Sequence, residues 1–156
     1  MNILDQLHTT AGVYPDADFQ AGGIATDVVE CRSAVGVRYI IFRGDCDGGT
    51  ETGVVTVYAD DDATPTTSVA TPFWYRASTT PDTWGAWTHA AAAGFTLTAG
   101  DNQIYEVFQP AAEIAENGYG YSHLELTEVL NDPVDGAILI EVIQTRYQDA
   151  TTTMLT

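Results

Sequence analysis

The chain has no lysine, and its 156 residues carry only five basic side chains, all arginine: Arg32, Arg38, Arg43, Arg76 and Arg146. Against them stand 22 acids, giving a formal net charge of −17 at pH 7. A field of that sign repels phosphate backbones and anionic lipid heads, so neither nucleic acid nor a membrane surface is expected as a partner, while a basic partner stays open. Cysteine is scarce as well. Cys31 and Cys46 are too few for a disulfide scaffold and lie in no CxxC spacing, so two buried free thiols are expected ahead of one bridge. Long apolar runs are missing. The longest aliphatic run, Ala137-Ile138-Leu139-Ile140, falls far short of the roughly 20 residues that a membrane-spanning helix needs. The opening MNILDQLHTTAGVYPDADF has neither a basic start nor an apolar stretch, so no secretory signal is expected.

Catalytic patterns are missing too. Ser68, Ser78 and Ser122 lie in no GxSxG elbow, and His8, His89 and His123 form no spaced set with Cys or Asp. There is no HExxH and no paired cysteine for zinc. Carboxylate pairs of the glycosidase kind arise by chance among 22 acids and point nowhere in particular. The expectation is a protein that is not an enzyme and needs no cofactor.

What is present reads as one folded domain, with 45% hydrophobic residues and a length sufficient for a real core. The acidic, lysine-free, Asp- and Thr-rich composition suits a protein that stays in solution at high salt, where screening removes self-repulsion; an ordinary acidic surface accounts for it equally. Residues 1–25 show no sustained period and read as an N-terminal arm, opening with a short helix over 2–7. From Thr26 the pattern becomes short strands between turn clusters: 27–32, 37–42, 53–59, 70–76, 94–97, 103–109, 121–130 and 137–146, followed by a tail over 148–156. β-branched and aromatic residues concentrate in these segments, as a pleated, half-buried surface favours. Pro110 followed by Ala111-Ala112-Glu113-Ile114-Ala115-Glu116, with Asn117-Gly118 behind it, predicts a single helical turn. About eight strands at a spacing near ten residues predict an all-β, antiparallel two-sheet sandwich, jelly-roll-like, over residues 26–147.

The turns suggest hairpins. Asp132-Pro133-Val134-Asp135-Gly136 sets φ with proline and supplies glycine for a positive φ, which predicts a hairpin of 121–130 with 137–146. Arg43–Thr52 likewise reads as the loop joining 37–42 to 53–59. That loop contains Arg43-Gly44-Asp45, the tripeptide that adhesion receptors read, and Asp45-Cys46-Asp47-Gly48, which begins like a calcium loop. An EF-hand needs an acid at its fifth position, where Gly49 stands, so the motif fails. A non-standard Ca²⁺ site at Asp45 and Asp47, or at Asp60, Asp61 and Asp62, remains a weak candidate, with solvated loop tips as the bland alternative.

Two features hint at assembly. The segment 37–42 is apolar on both faces (Val37, Tyr39 and Ile41; Ile40 and Phe42), and in 137–146 Leu139 and Ile143 lie opposite the core face of Ile138, Ile140 and Val142. A strand apolar on both sides in so small a protein is covered by an arm or meets another subunit. The aromatics Phe73-Trp74-Tyr75, Trp84 and Trp87 are expected to fill the core or an interface. The alternative is a sugar-stacking platform formed by Trp84 and Trp87.

The succession TDVVECRSAVGVRYIIFRGD, TGVVTVYADDDATPTTSVATPFWYRAS, DTWGAWTHAAAAGFTLTAGDNQIYEV and GYGYSHLELTEVLNDPVDGAILIEVI resembles small β-sandwich virion proteins of tailed double-stranded DNA viruses, the head decoration or cement proteins. The resemblance covers about residues 26–146 and rests on strand and turn patterning. Cys46, the Arg-Gly-Asp, the missing lysine and the tail TRYQDATTTMLT depart from it. It implies a virion protein made in the host cytoplasm, bound outside an assembled head to the major capsid protein, acting as a closed homo-oligomer with a trimer favoured, and holding no catalytic residues. Interface candidates under this reading are Ile3, Leu4, Leu7, Val13, Tyr14 and Phe19 in the arm, with Leu139 and Ile143 on the sheet. A glycan-binding or host-adhesin module of a head fibre or tail is the competing class, and tail-tube or connector roles stay open.

Overall fold

The structure, a computed structural model, describes residues 7–130 and 132–144. Among the described residues there are twelve strands: Leu7–Asp16 (β1), Ile24–Ala25 (β2), Val29–Glu30 (β3), Ala34–Cys46 (β4), Gly53–Asp60 (β5), Ser68–Ala70 (β6), Phe73–Ser78 (β7), Thr88–Ala90 (β8), Phe95–Thr96 (β9), Gln103–Pro110 (β10), Tyr121–Glu128 (β11) and Val134–Gln144 (β12). The expected helical turn is present as Ala111–Ala115 (α1), with Pro110 extended at its N-cap instead of at its first position, and Ile114 anchors it in the core. The strands form two antiparallel six-stranded sheets. Sheet A runs β1-β12-β4-β10-β7-β8, and sheet B runs β2-β11-β5-β6 with β3 on β11 and β9 on β5. From β4 onward most connections cross from one sheet to the other, giving the jelly-roll-like sandwich that the strand spacing predicts.

The core lies between the sheets. From sheet A it receives Val37, Tyr39, Ile41, Tyr105, Val107, Ile138, Ile140 and Val142, and from sheet B Val55, Val57, Ala59, Leu124 and Leu126, all buried. Period-2 alternation sends these residues inward and their neighbours outward. Each buried branched or aromatic side chain contributes about 1.5–3 kcal/mol of transfer free energy. A polar thread crosses this core. Tyr39 Oη lies 2.7 Å from Ser122 Oγ, which bonds Gln109, which in turn donates to Thr71 Oγ1. Tyr39 and Gln109 stand in sheet A and Ser122 in sheet B. A slip of one sheet over the other would leave these groups unpaired at about 1–3 kcal/mol each, so the thread fixes the register between sheets.

Both expected hairpins are corrected. The strand carrying 37–42 continues to Cys46, because Arg43 pairs with Gln103 and Gly136 and Cys46 with Val134. The remaining connection, beginning with a 3₁₀ turn at Asp47–Gly49, passes from sheet A to sheet B. Likewise β11 pairs with β5 and β12 with β4, so Leu124 and Leu126 oppose Ile138 and Ile140 across the core instead of lying beside them. The buried carboxylate of Glu51 holds this second crossing, accepting the backbone N–H groups of Val129, Leu130 and Asp132 at 3.2–3.4 Å. From Leu7 on, the expected arm lies along its own sandwich. There β1 is an edge strand of sheet A, in register with β12, and β2 pairs with β11. The helix expected over 2–7 and the tail over 148–156 fall outside the described residues, except that Leu7 opens β1.

Candidate protein-docking face

Sheet A buries one face in the core and turns the other outward. Cross-strand register places Leu7 beside Ile143, Leu139 between Ala11 and Ile40, and Phe42 between Ala137 and Ile104. Phe108 and Trp74 stand in register on the neighbouring strands β10 and β7. Leu7, Phe42 and Trp74 are exposed, while Ile40, Ile104, Phe108, Leu139 and Ile143 are half-buried by their neighbours alone. An antiparallel sheet with a wet outer face would carry polar residues at these positions. Here they are aliphatic and aromatic over four adjacent strands. At one end the face runs into an open cleft of about 690 Å³, lined by Phe42, Ile104, Ala137 and Pro15 with Asp16 and Asp135 beside them.

Across the middle of this face runs a row of four charges, one from each central strand. Arg38 Nε donates to Glu141 at 2.6 Å, Arg38 approaches Glu106 at 3.5 Å, and Arg76 Nε donates to Glu106 at 2.6 Å. Glu106 and Glu141 retain only 8% exposure although they point away from the core. Trp84 and Trp87, from the segment after β7, close over Arg76, with the guanidinium 4.5 and 4.8 Å from their ring centroids. Each such cation–π contact is worth about 0.5–1 kcal/mol at an exposed site and more once desolvated. A second cleft, about 480 Å³, opens beside Trp84 between Tyr75, Arg76, Thr80 and Thr88.

Of the two places expected for the tryptophans, core or interface, the core is ruled out. Trp74, Trp84 and Trp87 are 41%, 39% and 42% exposed. Alternation explains it for β7: Phe73 is buried and Tyr75 stacks on Phe95 against the core, so Trp74 must point out and meets His89 edge-on. Among the interface candidates, Phe19 is also corrected. It is 2% exposed, packed in the chain's own core with Gly136 leaving room for its ring. Val13 is half-buried against the same core, Tyr14 is 78% exposed, and Leu7, Leu139 and Ile143 lie together on the outer face of sheet A. Ile3 and Leu4 fall outside the described residues.

The Arg-Gly-Asp cannot be offered to a receptor. Arg43 is 2% exposed and spends its guanidinium inside, donating to Gln20 at 3.2 Å, Gln103 at 3.0 Å and the carbonyls of Thr98 and Glu51 at 2.8 and 2.9 Å. The calcium candidates are dispersed. Asp60 is fully buried, accepting from Ser68 Oγ at 2.6 Å and facing His123 Nδ1 at 2.7 Å. Asp61 accepts the hydroxyl and N–H of Thr66 and the N–H of Thr67; these bonds, led by the Thr66 hydroxyl, hold its carboxyl below the usual range. Asp62 accepts from Ala63, while Asp45 and Asp47 are exposed. Among the described residues, no three His, Cys, Asp or Glu side chains gather as a metal site. On sheet B, His123 stacks on Tyr58 at 4.9 Å, and its Nε2 lies 3.6 Å from Glu125. Burial pushes its pKa down, but the bond and charge of Asp60, with those of Glu125, outweigh it, and the pKa ends raised. Among the described residues, no hydroxyl or thiol bonds to this ring.

The sequence reading missed the row Glu141–Arg38–Glu106–Arg76. Its signal was available: a single opposite charge set into the outward period of each of four apolar strands.

No protein-family model matches the chain, and no curated protein matches it. Similar solved structures are distant. The CBM22-1–GH10 modules of a Clostridium thermocellum xylanase 10B, complexed with xylohexaose, share 13% identity over 95% of this chain and 28% of that one, with a TM-score of 0.36. The Eiger TNF of S. frugiperda shares 10% over 94% of this chain and 90% of that one, with a TM-score of 0.33. An infectious bursal virus T=1 particle protein shares 11% over 96% of this chain and 42% of that one, with a TM-score of 0.27.

Proposed function

We propose that the chain is a structural virion protein, a decoration or cement protein that binds outside an assembled head and reinforces contacts between major capsid proteins. The observation that supports this reading is the outer face of sheet A. Apolar side chains spread over four strands around internally neutralised charges, with Trp and Arg at one end, have the composition of a protein interface core. Its mechanism is binding energy alone: apolar area removed from water at a seam holds neighbours that would otherwise separate. The acidic remainder keeps decorated particles apart. The test is sedimentation of the purified chain with heads of the encoding virus prepared without it. The chain is expected to sediment with the heads, and Phe42→Asp or Leu139→Asp is expected to abolish this while leaving the fold intact. A chain that stays in the supernatant, or variants that bind as the wild type does, would overturn the reading.

Exposure of Trp84 and Trp87 favours a second reading, a glycan-binding module or adhesin of a head fibre or tail. Against it, one face of each indole is already occupied by Arg76. Quenching of tryptophan fluorescence by xylan or other polysaccharides, lost in Trp84→Ala and Trp87→Ala, would put this reading first.

A further inference from the structure

The row of charges across sheet A has a property beyond its neutrality. Read from β12 to β7 it runs acid, base, acid, base: Glu141, Arg38, Glu106, Arg76. Read backwards it runs base, acid, base, acid, so the row is its own complement when reversed. Its midpoint lies between β4 and β10, which is also the midline of the six-stranded sheet. We propose that the outer face of sheet A pairs with the same face of a second copy, about a two-fold axis lying in the interface and crossing the row between Arg38 and Glu106. This goes beyond the docking reading above and rests on it only for the choice of face: the pair is the free chain's form, and a head using that face would have to displace the second copy.

The geometry selects that axis. A two-fold axis along the row would stack each charge on its own kind. The axis across the row sets Glu141 of each copy toward Arg76 of the other, and Arg38 toward Glu106. An isologous contact of this kind closes on itself with the same patch used twice. The reversal also brings Trp84 and Trp87, at the β7 end of one copy, over the β12 and β1 end of the other, where Leu139, Ile143 and Leu7 form the aliphatic patch. Aromatic anchors meeting such a patch at a desolvated centre are the usual source of interface energy.

Charge also argues for a second copy as the occupant. Each chain carries −17, and two such bodies repel wherever acidic surfaces meet. The four charges of the row sum to zero, whereas Asp16 and Asp135 stand only at the margin, beside the cleft. Sheet A's outer face is therefore where two copies can approach with matched charges. Salt screens the repulsion between the acidic bodies, with a Debye length of about 3 Å at 1 M, more than it weakens apolar contact, so the pair should tighten as salt rises.

The test is the mass of the full chain by light scattering after size exclusion, at low and at molar salt, with two charge-swapped variants. Arg38→Glu/Glu141→Arg makes the row base, acid, acid, base; Arg76→Glu/Glu106→Arg makes it acid, base, base, acid. Each variant keeps the two outer ion pairs within its own sheet, sets positions 38 and 106 like against like, and meets itself like on like. Each is complementary to the other. The wild type is expected at twice the 16.7 kDa chain mass, more completely at high salt. Each variant alone should dissociate at concentrations at least about tenfold higher, and an equimolar mixture should re-form a dimer. A wild type that is monomeric at both salts, a trimer, or variants that pair with themselves as the wild type does would overturn the proposal. A variant that does not fold leaves the wild-type mass and the other variant decisive. If the chain is monomeric but sediments with heads, the pairing fails and the docking reading stands; if it pairs but never sediments, the reverse holds.

Discussion

Replacing Arg43 by methionine separates a structural arginine from a receptor ligand. The side chain is of similar length, but the guanidinium is gone, and four acceptors lose their donor: the side-chain oxygens of Gln20 and Gln103 and the carbonyls of Thr98 and Glu51. Gln20 and Gln103 are themselves buried, so their side-chain oxygens lose a donor inside the molecule. An unpaired buried acceptor costs about 1–3 kcal/mol, but neighbours relax and Tyr105 Oη still donates to Gln103, so the sum falls short of four full penalties. A loss of about 3–5 kcal/mol is expected, the range seen when one partner of a buried charged network is removed. Lysine should recover only part of it, because an ammonium has three donors and cannot span the fork that reaches residues on four separate segments. The assay is chemical denaturation followed by tryptophan fluorescence, comparing Arg43→Met, Arg43→Lys and Asp45→Ala. Asp45 is exposed, so its variant should stay within about 0.5 kcal/mol of wild type. A loss below about 1 kcal/mol for Arg43→Met would refute the account of this network.

His123 gives a pH dependence of definite sign. Its folded pKa is raised by Asp60 and Glu125 against the effect of burial, so its contribution is complete below the unfolded value of about 6.5 and is lost as pH rises through the folded pKa. The denaturation midpoint should therefore be higher at pH 6 than at pH 8, and His123→Gln should flatten the difference; an unchanged slope would remove His123 as its source. Gly94 adopts φ +81°, and a Cβ there would stand 2.0 Å from the Val55 carbonyl oxygen, so Gly94→Ala should cost more than the roughly 1–3 kcal/mol of left-handed strain alone. Gly49 shares a positive φ with open space around it, and Gly49→Ala should cost only that strain, which a pair of thermal melts would separate. Cys31 and Cys46 are buried and unbridged, and burial, with Glu30 and Asp60 nearby, pushes the Cys31 thiol well up. Both should resist a thiol reagent in the native protein and react only on unfolding.

Fold class was legible because alternation is local. Val37, Tyr39 and Ile41 against Arg38, Ile40 and Phe42 state a strand and its two faces in six residues, and the turn after Pro110 carries its own start and stop. Pairing was not local. The turn residues at 132–136 are as compatible with a crossing between sheets as with a hairpin, and only the contact of Leu124 and Leu126 with the opposite sheet decides between them. Burial of Arg43 was hidden for the same reason: its acceptors come from Gln20, Glu51, Thr98 and Gln103, dispersed along the chain. For the tryptophans, sequence left core and interface open, because average burial of a residue type says nothing of phase, and the phase of β7 turns Trp74 outward. Phe19 did mislead. It lies in a segment without period, yet the space over Gly136 admits its ring.

The distribution of arginine ties these observations together. Arg43 is committed inside the molecule, and Arg32 pairs with Glu30 and lies over Tyr121 near sheet B. Arg38 and Arg76 stand on one face, each matched to an acid that a folded monomer alone would have little reason to place there. Surface ion pairs contribute about 0–1 kcal/mol, and a lone apolar sheet face costs solubility. In a contact the account changes. Charges matched in advance need not be stripped of water as isolated ions, and the apolar stripes beside them supply the free energy. On a chain so acidic, the centre of sheet A is a place where charge is already cancelled.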